Sequence, residues 1–391
     1  MNNRLSRRQF LKLITAGVTG LWLDAFIPEV PTAEEASSQD SYQNIPLVFN
    51  QPSYPADFGS KVVHTYSPTI TSWNGSASQY WRYVNQEAAD RMVDLGLQTL
   101  TEKSSVAQAW RAILPNYRSS EKIAIKVSFN NCRDCNDTDG QIDAVVEPVN
   151  SVIRGLKQMG VAESDIWIFD ASRVIPNRFK NGCLYNGVEF YDQVNRGCGL
   201  NAGFSSDSPT AQIALNPPPG FPPTPVIRLT DVMIAAAYVI NIPIMKHHGA
   251  GVSLAFKNHF GSIDHPEDLH DFIGPSATED YSALVDLYMN PHIREKTVLT
   301  IGDGIFAAKM NYDPPTLWTS FNNQVPKSLF FSTDPVAIDC VMCDYLDAEK
   351  TIASYSDGYL RLASQAGLGV YERGDPWGNG YNLIEYVKLD P

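Results

Sequence analysis

The chain has 391 residues, of which 43% are hydrophobic and 19% are charged, which excludes a disordered or low-complexity protein. Its formal net charge of -13 argues against binding to nucleic acid or to anionic lipid, because both of these partners are negatively charged. After residue 36 no segment is long and apolar enough to cross a bilayer, so we expect no stable membrane span there.

The N-terminus resembles an export signal of the twin-arginine type. Residues 6–12 read S-R-R-Q-F-L-K, and the apolar stretch 13–26 follows. That stretch has the length of a signal-peptide core and is too short to span a bilayer comfortably. We therefore predict a twin-arginine signal over residues 1–36, cleaved between Pro31 and Ser38, with the export machinery as a partner. The alternatives are an uncleaved membrane anchor and a basic amphipathic helix that opens a soluble domain.

The remaining chain divides into a polar lead-in and one domain. Residues 37–78 are rich in Pro, Ser, Asn and Gly, and we predict a linker that lies over the domain. Residues 79–391 are predicted to form a single α/β domain. Apolar residues at helical spacing over 84–100 indicate its first helix, and Ser105 is a suitable cap for a second helix over 106–114.

The next segments predict a β-α-β unit. An apolar strand over 123–129 is followed by a loop, and a helix over 143–159 then ends at Gly160. A second strand, 166–169, leads directly into Asp170. This order implies parallel strands joined by a right-handed crossover.

The second half of the chain continues the alternation after an irregular segment over residues 171–225. Strands are predicted over 236–244, over 298–301 and over 328–331, the second of them ending in a Gly-Asp-Gly turn. Asp334 is predicted to be the N-cap of a helix that starts at Pro335. The whole pattern predicts a doubly wound α/β fold, with a mainly parallel sheet, helices on both faces and long irregular insertions. Ligands of such folds bind at the carboxyl ends of the strands.

A histidine-rich segment follows the strand that ends at Ile244. It holds five of the seven histidines of the chain together with two lysines and several carboxylates. Imidazole and carboxylate side chains suit a divalent metal or a proton transfer, although the zinc-protease spacing H-E-x-x-H is absent. The alternative is a polar loop whose histidines face water. The candidate catalytic or metal-binding residues are His247, His248 and Lys257.

Two further residues are candidates for contact with a ligand. Lys126 interrupts an apolar strand, and a buried lysine needs a partner, for which an anionic ligand is one option and a solvent-facing edge position is the alternative. Asp303 lies between two glycines after a strand, where a ligand can approach the chain closely. Asp170 and Asp334 occupy similar strand ends, which suit catalytic carboxylates and ordinary helix caps, and for Asp334 we favour the cap.

The chain contains six cysteines. We expect it to work in the periplasm or outside the cell, where disulfides are stable. One interpretation is disulfide bonding, for example of Cys183 with Cys198 and within a short Cys132–Cys135 loop. The other is a four-sulfur metal site, because two C-x-x-C pairs fall near one edge of the predicted sheet. These pairs are Cys132 with Cys135, and Cys340 with Cys343.

The histidine-rich segment resembles the family named domain of unknown function 362. The matching pattern is P-x-x-K-x-H, an apolar run and then K-N-x-x-G, carried here by Pro243, Lys246, His248, Lys257, Asn258 and Gly261. The Lys126 strand, Asp303 and residues 332–339 extend the resemblance over about residues 80 to 370. Our candidate cofactor-binding residues are Lys126, Lys246, Asn258 and Asp303. The family has no settled activity, and the iron–sulfur module of some members has no counterpart here.

A second, local resemblance is to the nickel-pincer lactate racemases. The residues that carry it are His247, Ala250, Gly251 and Lys257. It implies that Lys257 anchors a cofactor and that His247 is a metal ligand or a proton-transfer base. Leu254, Ala255, Phe256 and Asn258 depart from that pattern.

The sequence leaves three classes of function open. The first is an exported enzyme that depends on a metal or cofactor, of unknown identity with a divalent metal as one possibility, and whose site lies over residues 246–270. The second is a periplasmic protein that binds an anionic small molecule with the same lysines and histidines. The third is a scaffold protein without a pocket in this place.

Overall fold

A computed structural model describes residues 57–76, 78–130, 134–193, 197–273, 280–310, 312–349 and 353–390. The predicted signal over 1–36 and the first part of the predicted lead-in lie outside these residues. Among the described residues, no helix combines the length and the hydrophobicity needed to cross a bilayer.

The described residues contain a sheet of eleven strands. In chain order these are β1 (Val62–Tyr66), β2 (Ile123–Lys126), β3 (Ile166–Phe169), β4 (Glu189–Asp192), β5 (Leu200–Asn201), β6 (Tyr238–Asn241), β7 (Ile244–His248), β8 (Gly251–Val252), β9 (Thr297–Ala308), β10 (Ser328–Ser332) and β11 (Tyr386–Leu389).

The α-helices of the described residues alternate with these strands. They are α1 (Gln86–Thr101), α2 (Val106–Ile113), α3 (Val146–Met159), α4 (Asn177–Gly182), α5 (Asp231–Ala235), α6 (Ala255–Asn258), α7 (Ala283–Met289), α8 (Pro291–Arg294), α9 (Pro335–Ala348) and α10 (Asp357–Gln365).

The sheet is mixed but mostly parallel. Its order is β11-β1-β10-β9-β6-β2-β3-β4-β5, and β7 pairs with β9 outside this path. The run from β9 to β5 is parallel throughout, whereas β10 is antiparallel to both of its neighbours. The α/β fold with a mainly parallel sheet is therefore confirmed.

Two apolar cores cover the two faces of the sheet. Alternate residues of one strand enter different cores, as Ala124 and Ile125 of β2 do. Helices α1, α2 and α3 pack on the face of Ile125. Helices α7, α9 and α10 pack on the face of Ala124. Lys126 follows Ala124 on that second face, which is the face that carries the cleft described below.

Local signals predicted several helix ends correctly. The Ser105 side chain accepts a hydrogen bond from the first turn of α2, and Gly160 ends α3 in the left-handed conformation. Asp334 caps α9, because its carboxylate accepts hydrogen bonds from Val336 N and Ala337 N.

The expected Gly-Asp-Gly turn after residue 301 is wrong. Gly302 and Gly304 lie inside the long strand β9, which continues to Ala308. A Cβ atom on Gly302 would lie 2.3 Å from the Sδ of Met342, so this glycine allows α9 to pack closely on the sheet.

Two other strands differ from the expectation. Val62–Tyr66 falls in the segment predicted to be a lead-in, yet it forms β1 between β10 and β11, because its β-branched residues pack against both cores. The predicted strand 236–244 is two strands, which Pro243 separates, and the second strand runs through His248.

Candidate functional site

A cleft of about 270 Å³ lies at the carboxyl ends of β2 and β3, beside β7. This is the edge at which ligands of parallel α/β sheets bind. Polar and charged side chains form most of its wall, and Glu267, His270 and Tyr312 are exposed at its rim. The other lining residues are Ser128, Phe129, Asn130, Asp170, Ser172, Arg173, Lys246, His248, Ser253, Lys257, Asn258, Phe260, Gly261 and Pro266.

Lys257 enters the cleft from the short helix α6 and is only 7% exposed. Its Nζ atom lies 3.5 Å from the centre of the Phe260 ring. Within the described part of the chain, no carboxylate or other acceptor forms an ion pair or hydrogen bond with this amine. Burial lowers the pKa of Lys257 well below its ordinary value, and the neighbouring charges of Lys246 and Arg173 lower it further.

Two more cations line the same cleft. Lys246 lies on β7, where its Nζ donates a hydrogen bond of 2.6 Å to Asn130 Oδ1 and lies 5.7 Å from the Tyr312 ring centre. Arg173 is half-buried and donates through Nη1 to the Ser172 carbonyl at 3.0 Å. Both groups therefore add positive charge close to Lys257.

Lys126 forms the floor of the site and is fully buried. Its Nζ donates to Val127 O at 2.5 Å, and to Asp170 Oδ2 and Asn258 Oδ1 at 3.2 Å each. Burial lowers the pKa of Lys126, while Asp170 acts in the opposite direction. The partner that a buried lysine requires is thus the Asp170 carboxylate, and this pair contributes little net charge to the cleft.

Gly261 completes the floor for a steric reason. A Cβ atom at this position would lie 2.4 Å from Lys126 Nζ and 2.5 Å from Asp170 Oδ1. Real side chains do not approach that closely, so any larger residue would displace the ion pair. The K-N-x-x-G pattern therefore brings Asn258 and Gly261 together around Lys126.

Asp339 of α9 holds helix α6 in place. Its carboxylate accepts hydrogen bonds from Ala255 N at 2.8 Å and Phe256 N at 3.4 Å, and Tyr359 donates to it at 3.2 Å. Burial raises the pKa of Asp339 to about 7. At the other side of α6, Asn241 donates to the Ala255 carbonyl. The helix that carries Lys257 is thus anchored by side chains from both α9 and β6.

His248 is the histidine of β7 that faces the cleft. Its Nδ1 accepts a hydrogen bond of 3.0 Å from Ala250 N, so the neutral ring carries its proton on Nε2. Burial, followed by the charges of Lys257 and Lys246, lowers the pKa of His248 to about 2. The ring stacks on His270 with 5.5 Å between their centres. His248 is therefore a neutral hydrogen-bond donor at physiological pH.

The structure does not bring His247 into the cleft. Successive side chains of a strand point to opposite faces, so His247 and His248 of β7 diverge. His247 is buried, and neither of its ring nitrogens has a hydrogen-bond partner among the described residues. His259 is also buried outside the lining of the cleft, and burial lowers its pKa to about 3. A shared role of His247 and Lys257 at one reacting centre finds no support in this geometry.

Asp303 lies apart from the cleft, contrary to the expectation that it contacts a ligand beside Lys257. It is buried within β9, where its Oδ1 accepts a hydrogen bond of 3.0 Å from Ile305 N. Burial raises the pKa of Asp303 to about 7. Because β9 continues past this residue, its side chain packs inside the fold instead of at a strand end.

The expected four-sulfur metal site is also wrong. Cys135 forms a disulfide with Cys198, with 5.6 Å between their Cα atoms, so its sulfur is not available as a thiolate. Cys340 and Cys343 are free thiols buried inside α9, and burial raises the pKa of both. Cys132 lies outside the described residues.

The disulfide prediction is right in kind and wrong in its example pairing. Cys198 pairs with Cys135, and Cys183 is a half-buried free thiol. The described residues contain no group of three or more His, Cys, Asp or Glu side chains arranged to hold a metal ion.

Sequence reasoning missed two residues of the site. Arg173 comes four residues after the end of β3, which is a position typical of ligand contacts, but it stands in a segment that we predicted only as irregular. Asp339 was visible only as part of the resemblance over 332–339. Its contact with α6 joins residues more than 80 positions apart, as the separation of 84 between Ala255 and Asp339 shows, and no local pattern reports such a contact.

Comparison with known proteins places the chain in a family without giving it an activity. No curated protein matches the chain. The family model described as Domain of unknown function (DUF362) matches residues 123–344, which is more than half of the chain. The match begins at β2 and ends within α9, so it includes Lys126, the cleft segment and Asp339. The chain belongs to the domain of unknown function 362 family.

Proposed function

We propose that this protein binds a small anionic molecule in the cleft at the carboxyl ends of β2 and β3. The observation that carries the proposal is Lys257, a buried amine inside the cleft with no acceptor among the described residues. A buried amine without a partner is costly, and an anionic ligand removes that cost by supplying one.

The charges around the cleft support the same conclusion. Lys246, Lys257 and Arg173 face a small space in which Lys126 and Asp170 neutralise one another. Glu267 is the remaining carboxylate in the lining, and it lies exposed at the rim. The cleft is therefore a cationic site in a protein whose net charge is -13, and such a site attracts small anions selectively.

A second candidate function is an enzyme that acts on the bound anion. The lowered pKa of Lys257 favours the neutral amine, which is a base and a nucleophile. His248 adds a neutral N–H donor to the same wall. The described residues bring together no group of three or more His, Cys, Asp or Glu side chains that could hold a metal ion, so a divalent metal would need further ligands.

Titration calorimetry of the exported protein tests the proposal. The ligands are oxalate, citrate, 2-oxoglutarate and inorganic phosphate, with glycerol and spermidine as uncharged and cationic controls. We expect at least one anion to bind and neither control to bind. Lys257→Gln and Arg173→Gln should each weaken binding about tenfold or more, since a lost charged contact is worth about 1.4 kcal/mol or more.

The exposed residue Lys103 provides the matched control, because Lys103→Gln removes one positive charge outside the cleft. Equal loss of affinity in Lys103→Gln and Lys257→Gln would mean that anions respond to overall charge and not to the cleft. The absence of binding by every anion would refute the proposal.

We also propose that the twin-arginine machinery exports the protein and that it works in the periplasm or outside the cell. The paired Arg7 and Arg8 support this proposal, and so does the Cys135–Cys198 disulfide, which requires an oxidising compartment. Replacing both arginines with lysine should leave the precursor in the cytoplasm, as fractionation and immunoblotting would show. Normal export of the double variant would contradict the assignment.

A further inference from the structure

Building on the proposed anion site, we infer that the ligand is a small 2-oxo acid and that the Lys257 amine condenses with its carbonyl group to form an imine. The inference depends on the hydrogen-bond partners of the buried lysines, on the position of Lys257 inside the cleft and on the charges beside it.

Lys257 differs from the other buried lysines of the described chain in having no acceptor. Lys126 donates to Asp170, Lys246 donates to Asn130, and Lys61 forms ion pairs with Glu102 and Glu385. Lys257 Nζ instead lies against the face of Phe260 inside the cleft. An amine that has no acceptor within the described part of the protein and that faces a cleft is positioned to react with a molecule bound there.

The groups around Lys257 favour the neutral form of its amine and can bind a carboxylate nearby. Burial and the adjacent charges of Lys246 and Arg173 all lower the pKa of Lys257, so a larger fraction of the amine is unprotonated than in water. The same two cations are donors for the carboxylate of an oxo acid. One arrangement of charges therefore serves both the nucleophile and the binding of its substrate.

The condensation balances without any oxidant or metal. The Nζ lone pair forms a bond to the carbonyl carbon, while the carbonyl π electrons move to the oxygen, which takes up a proton. The nitrogen then loses a proton, and the oxygen leaves as water after a second protonation. The products are a protonated imine and one water molecule, and the protons exchange with solvent through the rim at Glu267, His270 and Tyr312.

His248 is positioned to donate a hydrogen bond to an oxo acid bound in the cleft. Its Nδ1 is occupied by the hydrogen bond from Ala250 N, which leaves the Nε2 proton for an oxygen of the ligand. Because the ring is neutral, it donates this hydrogen bond without adding a further positive charge beside Lys257.

Borohydride trapping tests the inference on the exported protein. Pyruvate, glyoxylate and 2-oxoglutarate are incubated with the protein in separate samples, sodium borohydride is added, and intact-mass spectrometry and peptide mapping follow. We expect a single reduced adduct with at least one acid, located on Lys257. Lactate, which has a hydroxyl group in place of the 2-oxo group, should give no adduct.

Two variants of Lys257 separate chemistry from folding. Lys257→Arg places a cation there that forms no imine, and Lys257→Met keeps an unbranched side chain; both should lose the adduct while they retain a cooperative melting transition. Lys103→Gln should form the adduct as the wild type does. An adduct that persists in both Lys257 variants, or that is spread over exposed lysines, would overturn the inference.

The experiment also distinguishes this inference from the proposed function. If calorimetry shows anion binding that depends on Lys257 but no acid gives a trapped adduct, imine formation is refuted and the anion site stands. If no anion binds and no adduct forms, both are refuted.

Discussion

Lys257 shows how a single side chain can connect stability with function. It is buried at 7% exposure, and its charged form has no compensating carboxylate among the described residues. Proteins retain such a residue at a cost in stability where a ligand contact requires it.

Replacing Lys257 with methionine should not destabilise the protein. We expect the free energy of unfolding of Lys257→Met at pH 7 to equal or exceed that of the wild type, because the variant no longer buries an amine that loses its hydration. Urea denaturation followed by circular dichroism measures this difference. The same variant should lose anion binding.

The pH dependence of that difference has a definite sign. The unfolded chain keeps the Lys257 proton up to the ordinary pKa of 10.5, whereas the folded chain releases it at lower pH. Between these two pKa values the unfolded state binds more protons, so the stability of the wild type rises with pH. The free energy of unfolding of the wild type should therefore approach that of Lys257→Met as the pH is raised. A difference that is constant with pH would contradict the burial of an unpaired amine.

Gly261 makes a second prediction about an individual residue. Gly261→Ala places a Cβ atom 2.4 Å from Lys126 Nζ, so the Lys126–Asp170 pair must shift, and we expect a loss of about 1–3 kcal/mol in the free energy of unfolding. Gly249→Ala is the matched control, because its Cβ would meet no atom within 4 Å and its backbone φ is not positive. Equal effects of the two substitutions would show that the floor is not tightly packed.

Helix α6 depends on a distant helix for its position. Its N-terminal amides donate hydrogen bonds to Asp339 of α9. The position of the helix that carries Lys257 is therefore fixed by contacts with another element and not by its own four-residue sequence. Helices of this length are not stable alone. The orientation of the Lys257 amine is therefore a property of the whole sheet face.

Asp339→Ala should uncouple that helix from α9. The Ala255 and Phe256 amides lose their acceptor, and unsatisfied buried donors of this kind cost about 1–3 kcal/mol of stability. We expect this loss together with weaker anion binding, measured by denaturation and calorimetry. Tyr359→Phe removes only the third hydrogen bond to Asp339 and should have the smaller effect on both. A variant Asp339→Ala with unchanged binding would contradict the positioning role.

The sequence predicted those elements whose signals are local. Helices α1, α2 and α3 and strands β2 and β3 were found from periodicity, caps and β-branched runs. The site was predicted in part: His248, Lys257, Lys246, Asn258 and Lys126 do gather around one cleft or its floor.

The predictions for the other site residues were wrong for physical reasons. His247 alternates with His248 on β7 and therefore points away from the cleft. Asp303 was placed at a turn because it lies between two glycines, yet in β9 Gly302 serves close packing of α9 on the sheet. Long-range pairings such as Asp339 with α6 and Cys135 with Cys198 depend on the tertiary fold and leave no local pattern.

The molecule as a whole combines a two-faced apolar core with a disulfide that closes a long loop. Cys135 and Cys198 are 63 residues apart, and the enclosed segment contains α3, β3, α4 and β4. The bond therefore ties the loop that follows β2, and hence one side of the cleft, to the far edge of the sheet.

Removing this disulfide should lower stability substantially. For a closed loop of this length, the loss of chain entropy in the unfolded state corresponds to about 4 kcal/mol. We expect the double variant Cys135→Ser with Cys198→Ser to show a marked decrease in Tm by calorimetry. Cys183→Ser is the control, since Cys183 is a free thiol, and it should change Tm little. Equal Tm values for the wild type and the double variant would contradict the pairing.

The proposed anion site is the central claim about this molecule, and a crystal structure of the protein with its tightest-binding anion tests it most directly. The expected result is electron density for the anion between Lys246, Lys257 and Arg173, with an anionic oxygen, or the imine carbon of a trapped oxo acid, in contact with Lys257 Nζ. Anion density confined to other surfaces, with none against Lys257 at saturating ligand, would contradict the account.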